Sequence, residues 1–470
     1  MTLPRKISVH NIGILKGLDA TAIAEKIKKK EMTPAEAVAC VHERAEKARE
    51  LNAIVAEDYQ KYVSGYQSRG FFAGVPTFIK DLVKLRGFPT RYGCEGMPPV
   101  VAKKNDKVVD QFLSAGFIAL GKSATSEFGL LPSSESRLTG PTRNPVHTEY
   151  STGGSSGGAG ALVASGVVPL AHAMDGGGSI RIPASCCGLV GLKPSRGRLL
   201  GSMTKGLPVD IVTDGVLTET VRDTANFFAA MESYYKPAHL PEIGHVQGPA
   251  SKRLRIALFT QSPAGIEAHP DVQRAVLDAG EICSKLGHHV EHIDNPYDDR
   301  ILFDFLVYYC FNGWLLLTFG KLALHWKFNP EKTEPFTRGL HDYFCKLLLM
   351  VPGSFCRLRN KFVHDYNQLL NKYDVLMNPV LLTPTPRLEY HGPETGFISL
   401  VMRLNNFVNF TIVQNTTGAP AISLPLGACS NGLPIGVQFA ARTGEERKLL
   451  ELAFELEAAG AFRLGRDLGH

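Results

Sequence analysis

Apolar and polar positions follow two different patterns along this chain. The first sixty residues read as helix, and TPAEAVACVHERAEKA (33–48) predicts one that opens at Thr33 as cap, with Pro34 in the first turn. Glu36, three places on, completes a capping box. After GVPTFIKDLV the pattern changes to short apolar runs such as GFIALGK, separated by polar, helix-compatible segments, which is the signature of an α/β sheet protein. LRIALF (254–259), YDVLMNPV (373–380), AISLPLG (421–427) and PIGVQFA (434–440) are the clearest further strands. Pro379, Pro425 and Pro434 place strand ends there.

Two apolar stretches, 303–326 and 345–356, read as core helices or as walls of a pocket. The uncharged run FLVYYCFNGWLLLTFG (305–320) falls short of the ~20 residues of a spanning helix and is interrupted by Asn312 and Gly313. Resting on a membrane surface is the weaker reading, because the stretch lacks a basic polar face. Cys310 is a pocket residue if this segment is a pocket wall, and otherwise an inert buried thiol. GHHVEHI (287–293) follows the helical segment DVQRAVLDAGEICSKLG, for which Gly287 is a good stop. Its histidines therefore read as a surface strand, and no metal is expected.

Length changes the picture little: 470 residues allow one large domain or two. The Pro- and Gly-bearing stretch 233–252 reads as a surface loop more than a linker, so one domain over 1–470 is expected. Its parts are N-terminal helices at about 1–65, a core at about 66–230 and a C-terminal part at about 253–470 that completes the sheet. A net charge of +6, scattered over the chain, leaves no footprint for nucleic acid. Nine cysteines without a CxxC pair, behind an N-terminus lacking the apolar core of a signal peptide, point to a reducing cytoplasm.

The chemistry lies in two glycine loops, STGGSSGGAG (151–160) and DGGGSIRIP (175–183). Neither supplies the Gly-Lys-Ser/Thr ending of a phosphate loop or the GxGxxG of a dinucleotide loop. The first contains GxSxG centred on Ser156, an esterase elbow if a strand precedes it. In the second, Gly176, Gly177, Gly178 and Ser179 present consecutive backbone N–H groups beside a hydroxyl, an arrangement suited to an oxyanion next to a nucleophile. A serine needs a base, and Lys80, closing the apolar run GVPTFIK, can project its amine into a cavity. Burial there would lower its pKa to a usable value.

Lys80, Ser155 and Ser179, set within GGSSGGAGALVASGVVPLAHAMDGGGSIRIPASCCGLVGLKPSRGR, resemble the amidase signature family, and the similarity extends over most of the chain. The DGGGS variant and the KPSRGR ending resemble the branch containing 6-aminohexanoate-cyclic-dimer hydrolase. The resemblance implies an α/β fold with a mixed central sheet wrapped by helices, and hydrolysis of a carbon-nitrogen amide bond without a cofactor. It also implies a Ser-Ser-Lys triad in which Ser179 attacks, Ser155 relays the proton after a cis peptide bond, and neutral Lys80 is the base. Gly176 to Ser179 would hold the oxyanion. Gly176, where many members carry a side chain, should leave the wall above the nucleophile open to a broader acyl group.

Asp175 and Arg181 read as pairing to hold the loop. The expected partner is a neutral, partly apolar small amide, and a homodimer is the assembly allowed. Three rivals share parts of these features: a glutaminase subunit of a tRNA-dependent amidotransferase, a GxSxG esterase using Ser156, and a silent binding protein of the same fold.

Overall fold

In the computed structural model, which describes residues 5–60, 69–201 and 203–468, two helices open the chain, α1 (Ala20–Lys28) and α2 (Pro34–Lys47). Thr33 Oγ1 accepts the Glu36 N–H at 3.2 Å and the Glu36 carboxylate accepts the Thr33 N–H at 2.8 Å, so the capping box forms. The all-helical reading of the first sixty residues fails at β1 (Ile54–Glu57), and 61–68 lie outside the described residues. β2 (Pro76–Lys80) and β3 (Ile118–Ser123), with α3 (Lys107–Ser114) between them, join β1 in a small sheet of order β1-β3-β2. β2 and β3 are buried throughout, which is why they read as continuous apolar runs and not as alternation.

A short hairpin, β4 (Glu135–Ser136) and β5 (Gly140–Pro141), leads into the glycine-rich block, which folds as α4 (Gly157–Ala164), β6 (Leu170–Asp175), α5 (Arg181–Cys187), β7 (Val190–Lys193) and β8 (Thr213–Thr218). α6 (Val221–Tyr234) closes this half. The segment after α6 is a loop pinned from inside: Glu232 accepts the N–H groups of Ile243 and Gly244, and Arg198 donates to the Pro241 carbonyl.

The second half supplies β9 (Arg255–Leu258), α7 (Pro270–Lys285), β10 (His289–His292), α8 (Arg300–Ala323), α9 (Pro335–Phe344), α10 (Val351–Cys356), α11 (Phe362–Lys372), β11 (Val375–Pro379), α12 (Phe397–Asn405), α13 (Ile412–Thr417), β12 (Ala421–Ala428), β13 (Pro434–Ala440) and α14 (Glu446–Ala458). Its strands complete one mixed eight-stranded sheet of order β10-β9-β11-β13-β12-β7-β8-β6, flanked by helices. β9 pairs parallel with β10 and β11, and the remaining neighbours are antiparallel. The small sheet meets the large one at β6, where Thr77 Oγ1 donates to the Leu170 carbonyl at 3.1 Å.

Four expectations need correction. Pro425 ends no strand: it lies inside β12, at a register irregularity between Leu424 and Gly427, and a bulge is where a sheet tolerates a residue without an N–H. The apolar run at 305–320 is part of a 24-residue helix, long and apolar enough by length and composition to cross a membrane. Gly313 does not break it but lets α9 approach, since a Cβ there would lie 2.5 Å from the Leu340 Cβ. The stretch 345–356 is no core helix: Leu349 is 94% exposed, and Leu348 and Met350 are more than half exposed.

Candidate active site

Lys80 ends β2 with its side chain fully buried, and Nζ lies 2.7 Å from both Ser155 Oγ and Ser156 Oγ. Burial pushes its ammonium down to about 7, against an opposing pull from Asp175 and Asp214. Its backbone N–H donates to His172 Nδ1 at 3.3 Å. That bond puts the imidazole proton on Nε2, which faces Asp214 Oδ1 at 3.0 Å. The end of β2 is thus fastened to β6 at Lys80 itself.

The first glycine loop brings Ser155 in through a cis Gly154–Ser155 peptide. Gly154 is required by close approach, because a Cβ there would lie 2.5 Å from the Ser133 backbone. The neighbouring Ser156 has a different environment. Its Oγ donates to the Met174 carbonyl and accepts the Met174 N–H, both at 3.2 Å, and it caps α4 after an irregular segment instead of a strand. A hydroxyl tied on both sides to a buried strand lacks the exposed strand-turn-helix position of an esterase nucleophile.

The second loop is held by Asp175 and Arg181, as their pairing suggested. Arg181 Nη2 and Nε donate to the two Asp175 oxygens at 2.9 Å, and the carboxylate also accepts the N–H groups of Gly178 at 2.8 Å and Ile180 at 3.2 Å. Burial raises the Asp175 carboxyl, but Arg181, Lys193 and Asn415 outweigh it and hold it below the usual carboxylate range. Gly178 adopts φ +127° in this turn and spends its N–H on Asp175, so it closes the loop and does not face a ligand. Asp175→Ala leaves the Arg181 guanidinium buried beside a lost partner, and we expect a stability loss of about 3–5 kcal/mol in denaturant unfolding, with turnover falling alongside.

Ser179, 8% exposed, borders two chambers. The larger, about 410 Å³, is also bordered by Lys80, Ser155 and Gly176, and the smaller, about 150 Å³, by Gly177 and Ile182. Their walls are mainly apolar, and α8 contributes to both, through Phe305, Tyr309 and Leu316 among others, which answers the pocket-wall reading of 303–326. Cys310 lies on the other side of that helix, buried against Val307 and Leu340, with burial pushing its thiol up to about 12. It is an inert thiol. Gly176 faces the larger chamber, where a Cβ would meet only a Val212 methyl, at 3.1 Å.

The Amidase family model matches residues 22–450. The chain belongs to that family. A Mycobacterium tuberculosis relative named as the amidase AmiC is 42% identical over 451 residues, 94% of each chain, and a 6-aminohexanoate-cyclic-dimer hydrolase of a Pseudomonas species is 32% identical over 484 residues, 94% of each. The solved structure of a 6-aminohexanoate cyclic dimer hydrolase superposes with a TM-score of 0.85 at 28% identity, covering 94% of this chain and 96% of the other. The amidase is an amide-hydrolysing enzyme, and its mixed sheet flanked by helices is the fold of these neighbours.

Several residues that build the amidase's site escape the sequence reading. Thr411 Oγ1 donates to the Gly177 carbonyl at 2.6 Å, and Asn415 Nδ2 reaches the Asp175 carbonyl at 3.0 Å and its carboxylate at 2.8 Å. Gln414 and Gln438 accept from Arg181 at 3.1 and 2.8 Å. The available signal is the polar string TIVQNTTG, entirely buried although it falls between apolar segments. The histidines of GHHVEHI do not alternate as expected: His289 and His292, three positions apart, are both exposed on the edge strand β10, while His288, just before it, is buried against Glu455. Among the described residues no cluster of three or more His, Cys, Asp or Glu could hold a metal.

Proposed function

We propose that the amidase cleaves carbon-nitrogen amide bonds, linear or cyclic, through a Ser-Ser-Lys relay and an acyl-enzyme on Ser179. The observation that carries this reading is Lys80: a buried amine, pushed down to about 7, placed 2.7 Å from a serine that shares a cavity with Ser179. Neutral Lys80 takes the Ser155 proton while Ser155 takes that of Ser179, whose Oγ bonds to the carbonyl carbon. The N–H groups of Gly176, Gly177 and Ser179 stabilise the oxyanion. The relay then runs in reverse, Ser155 protonates the nitrogen, and the amine leaves neutral. Water repeats the sequence on the ester and frees Ser179.

Lys80 is the only charged side chain among the described residues bordering the two chambers, which favours neutral, apolar amides over a glutamine-type substrate bearing two charges. We read 1–470 as one catalytic domain, since the large sheet takes strands from both halves. A cytoplasmic setting is supported by nine free cysteines, and a homodimer by exposed apolar side chains at Leu322, Trp326 and Leu349.

A fluorophosphonate probe followed by peptide mass mapping tests the nucleophile. The expected adduct is on Ser179, formed more slowly in Lys80→Ala; an adduct on Ser156, or none, overturns the assignment.

A further inference from the structure

Four residues, Gly129, Leu130, Ser179 and Tyr309, border both chambers, so the nucleophile stands where the two meet. At that boundary Tyr309 Oη donates to the Leu130 carbonyl at 3.2 Å, joining α8 to the loop that follows β3. The Tyr309 ring stacks on Phe305, with centroids 5.5 Å apart and planes 25° apart, which fixes its orientation. This hydrogen-bonded bar separates two mainly apolar spaces of unequal size, about 150 and 410 Å³.

The relay is not shared between them. Lys80 and Ser155 border the larger chamber alone. An amide carbonyl under attack by Ser179 turns its oxygen to the backbone N–H groups and its nitrogen to the hydroxyl that will protonate it. The nitrogen substituent is therefore directed into the larger chamber and the acyl substituent into the smaller. A chamber of about 150 Å³ is on the scale of a cavity that holds a benzene-sized group.

We propose that Tyr309 is a specificity-determining partition, and that the substrates are secondary amides with a compact apolar acyl group and a longer apolar amine. The inference rests on the Ser179 reading above. In the step it governs, the Ser179 Oγ–carbon bond forms and the carbon-nitrogen bond breaks. The proton from Ser155 goes to nitrogen, and the neutral amine departs through the larger chamber while the acyl group stays esterified beside the smaller.

Two isomeric dialkyl amides, N-octylbutanamide and N-butyloctanamide, test this, because their amide bonds have the same intrinsic reactivity and differ only in which side is long. Each methylene that finds no apolar space forfeits about 0.8 kcal/mol, or roughly fourfold. We expect kcat/KM for N-octylbutanamide to exceed that for its isomer by at least about 30-fold. Tyr309→Ala, which merges the chambers, should bring the ratio within about threefold by raising turnover of N-butyloctanamide. Tyr309→Phe keeps the ring but frees the bar from Leu130, and should give an intermediate ratio. Leu316→Trp, which fills the larger chamber, should lower N-octylbutanamide turnover more than that of its isomer.

A wild-type ratio near one or inverted overturns the proposal, as do Phe and Trp variants that leave the ratio unchanged. Butanamide serves as the reference. Hydrolysis of butanamide with no discrimination between the isomers removes the partition alone, whereas no hydrolysis of any amide together with an unlabelled Ser179 removes the nucleophile assignment beneath it.

Discussion

On the proposed relay, kcat/KM of amide hydrolysis is expected to rise about tenfold per pH unit up to roughly 7 and to be level above it, because the relay needs Lys80 neutral. The ordinary lysine value is 10.5, so between about pH 7 and 10.5 the unfolded chain binds more protons at this position than the folded one. Stability therefore also rises with pH across that window, and the full burden of a buried cation is felt below about 7. Lys80→Met, which removes the proposed base, is expected to lower kcat/KM by roughly a thousand- to ten-thousandfold while leaving the cavity volume nearly constant. Lys193 provides the control. Burial also pushes it down to about 7, yet it borders neither chamber, so Lys193→Met leaves the midpoint of the activity profile where it was. A profile flat from acid to alkaline pH would exclude Lys80 as the base.

The two serines beside Lys80 separate by function although their distances to Nζ are equal. Ser155→Ala is expected to lower kcat/KM by about a thousandfold or more, since the proposed relay passes through the hydroxyl that Lys80 contacts and that shares the larger chamber with Ser179. Ser156→Ala lowers it by about tenfold or less, through slackening of the Lys80 side chain. Its larger effect is on stability, because the Met174 N–H and carbonyl lose a buried partner, a cost of about 1–3 kcal/mol. Steady-state kinetics paired with thermal unfolding distinguishes the two. Equal kinetic losses would mean that the relay uses either hydroxyl.

What the sequence could reveal follows from where information about each residue is stored. β2, β3, β9, β11 and β13 were legible because each is a short apolar run bounded by turn residues or proline, and a strand buried on both faces carries that mark locally. β6, β7 and β8 were not picked out, since they lie in a block of small and apolar residues with no periodicity to separate strand from helix. Lys80 stood out as an amine closing an apolar run and Ser179 as a hydroxyl after three glycines, while Ser155 entered through the resemblance to the amidase signature family. Tyr309 did not: in FLVYYCFNGW its neighbour Cys310 carries the rarer chemistry, and only the rotation of α8 decides which of the two meets the cavity. The anchors of the nucleophile loop were hidden for a different reason. Thr411, Gln414 and Asn415 find their partners more than 230 positions earlier, and no local pattern records such a pairing.

That long-range fastening also sets an order of events during synthesis. Lys80, both serines and the glycine turns leave the ribosome early, and Asp175 and Arg181 can pair at once, but the turn bearing Ser179 acquires its distant clamps only when α13 and β13 have emerged. A nascent or prematurely terminated chain carries every reactive group without the scaffold that aims them. Chemical competence therefore arrives with α13 and the closing strands of the sheet, and a chain cut before α13 lacks the distant clamps on its nucleophile turn.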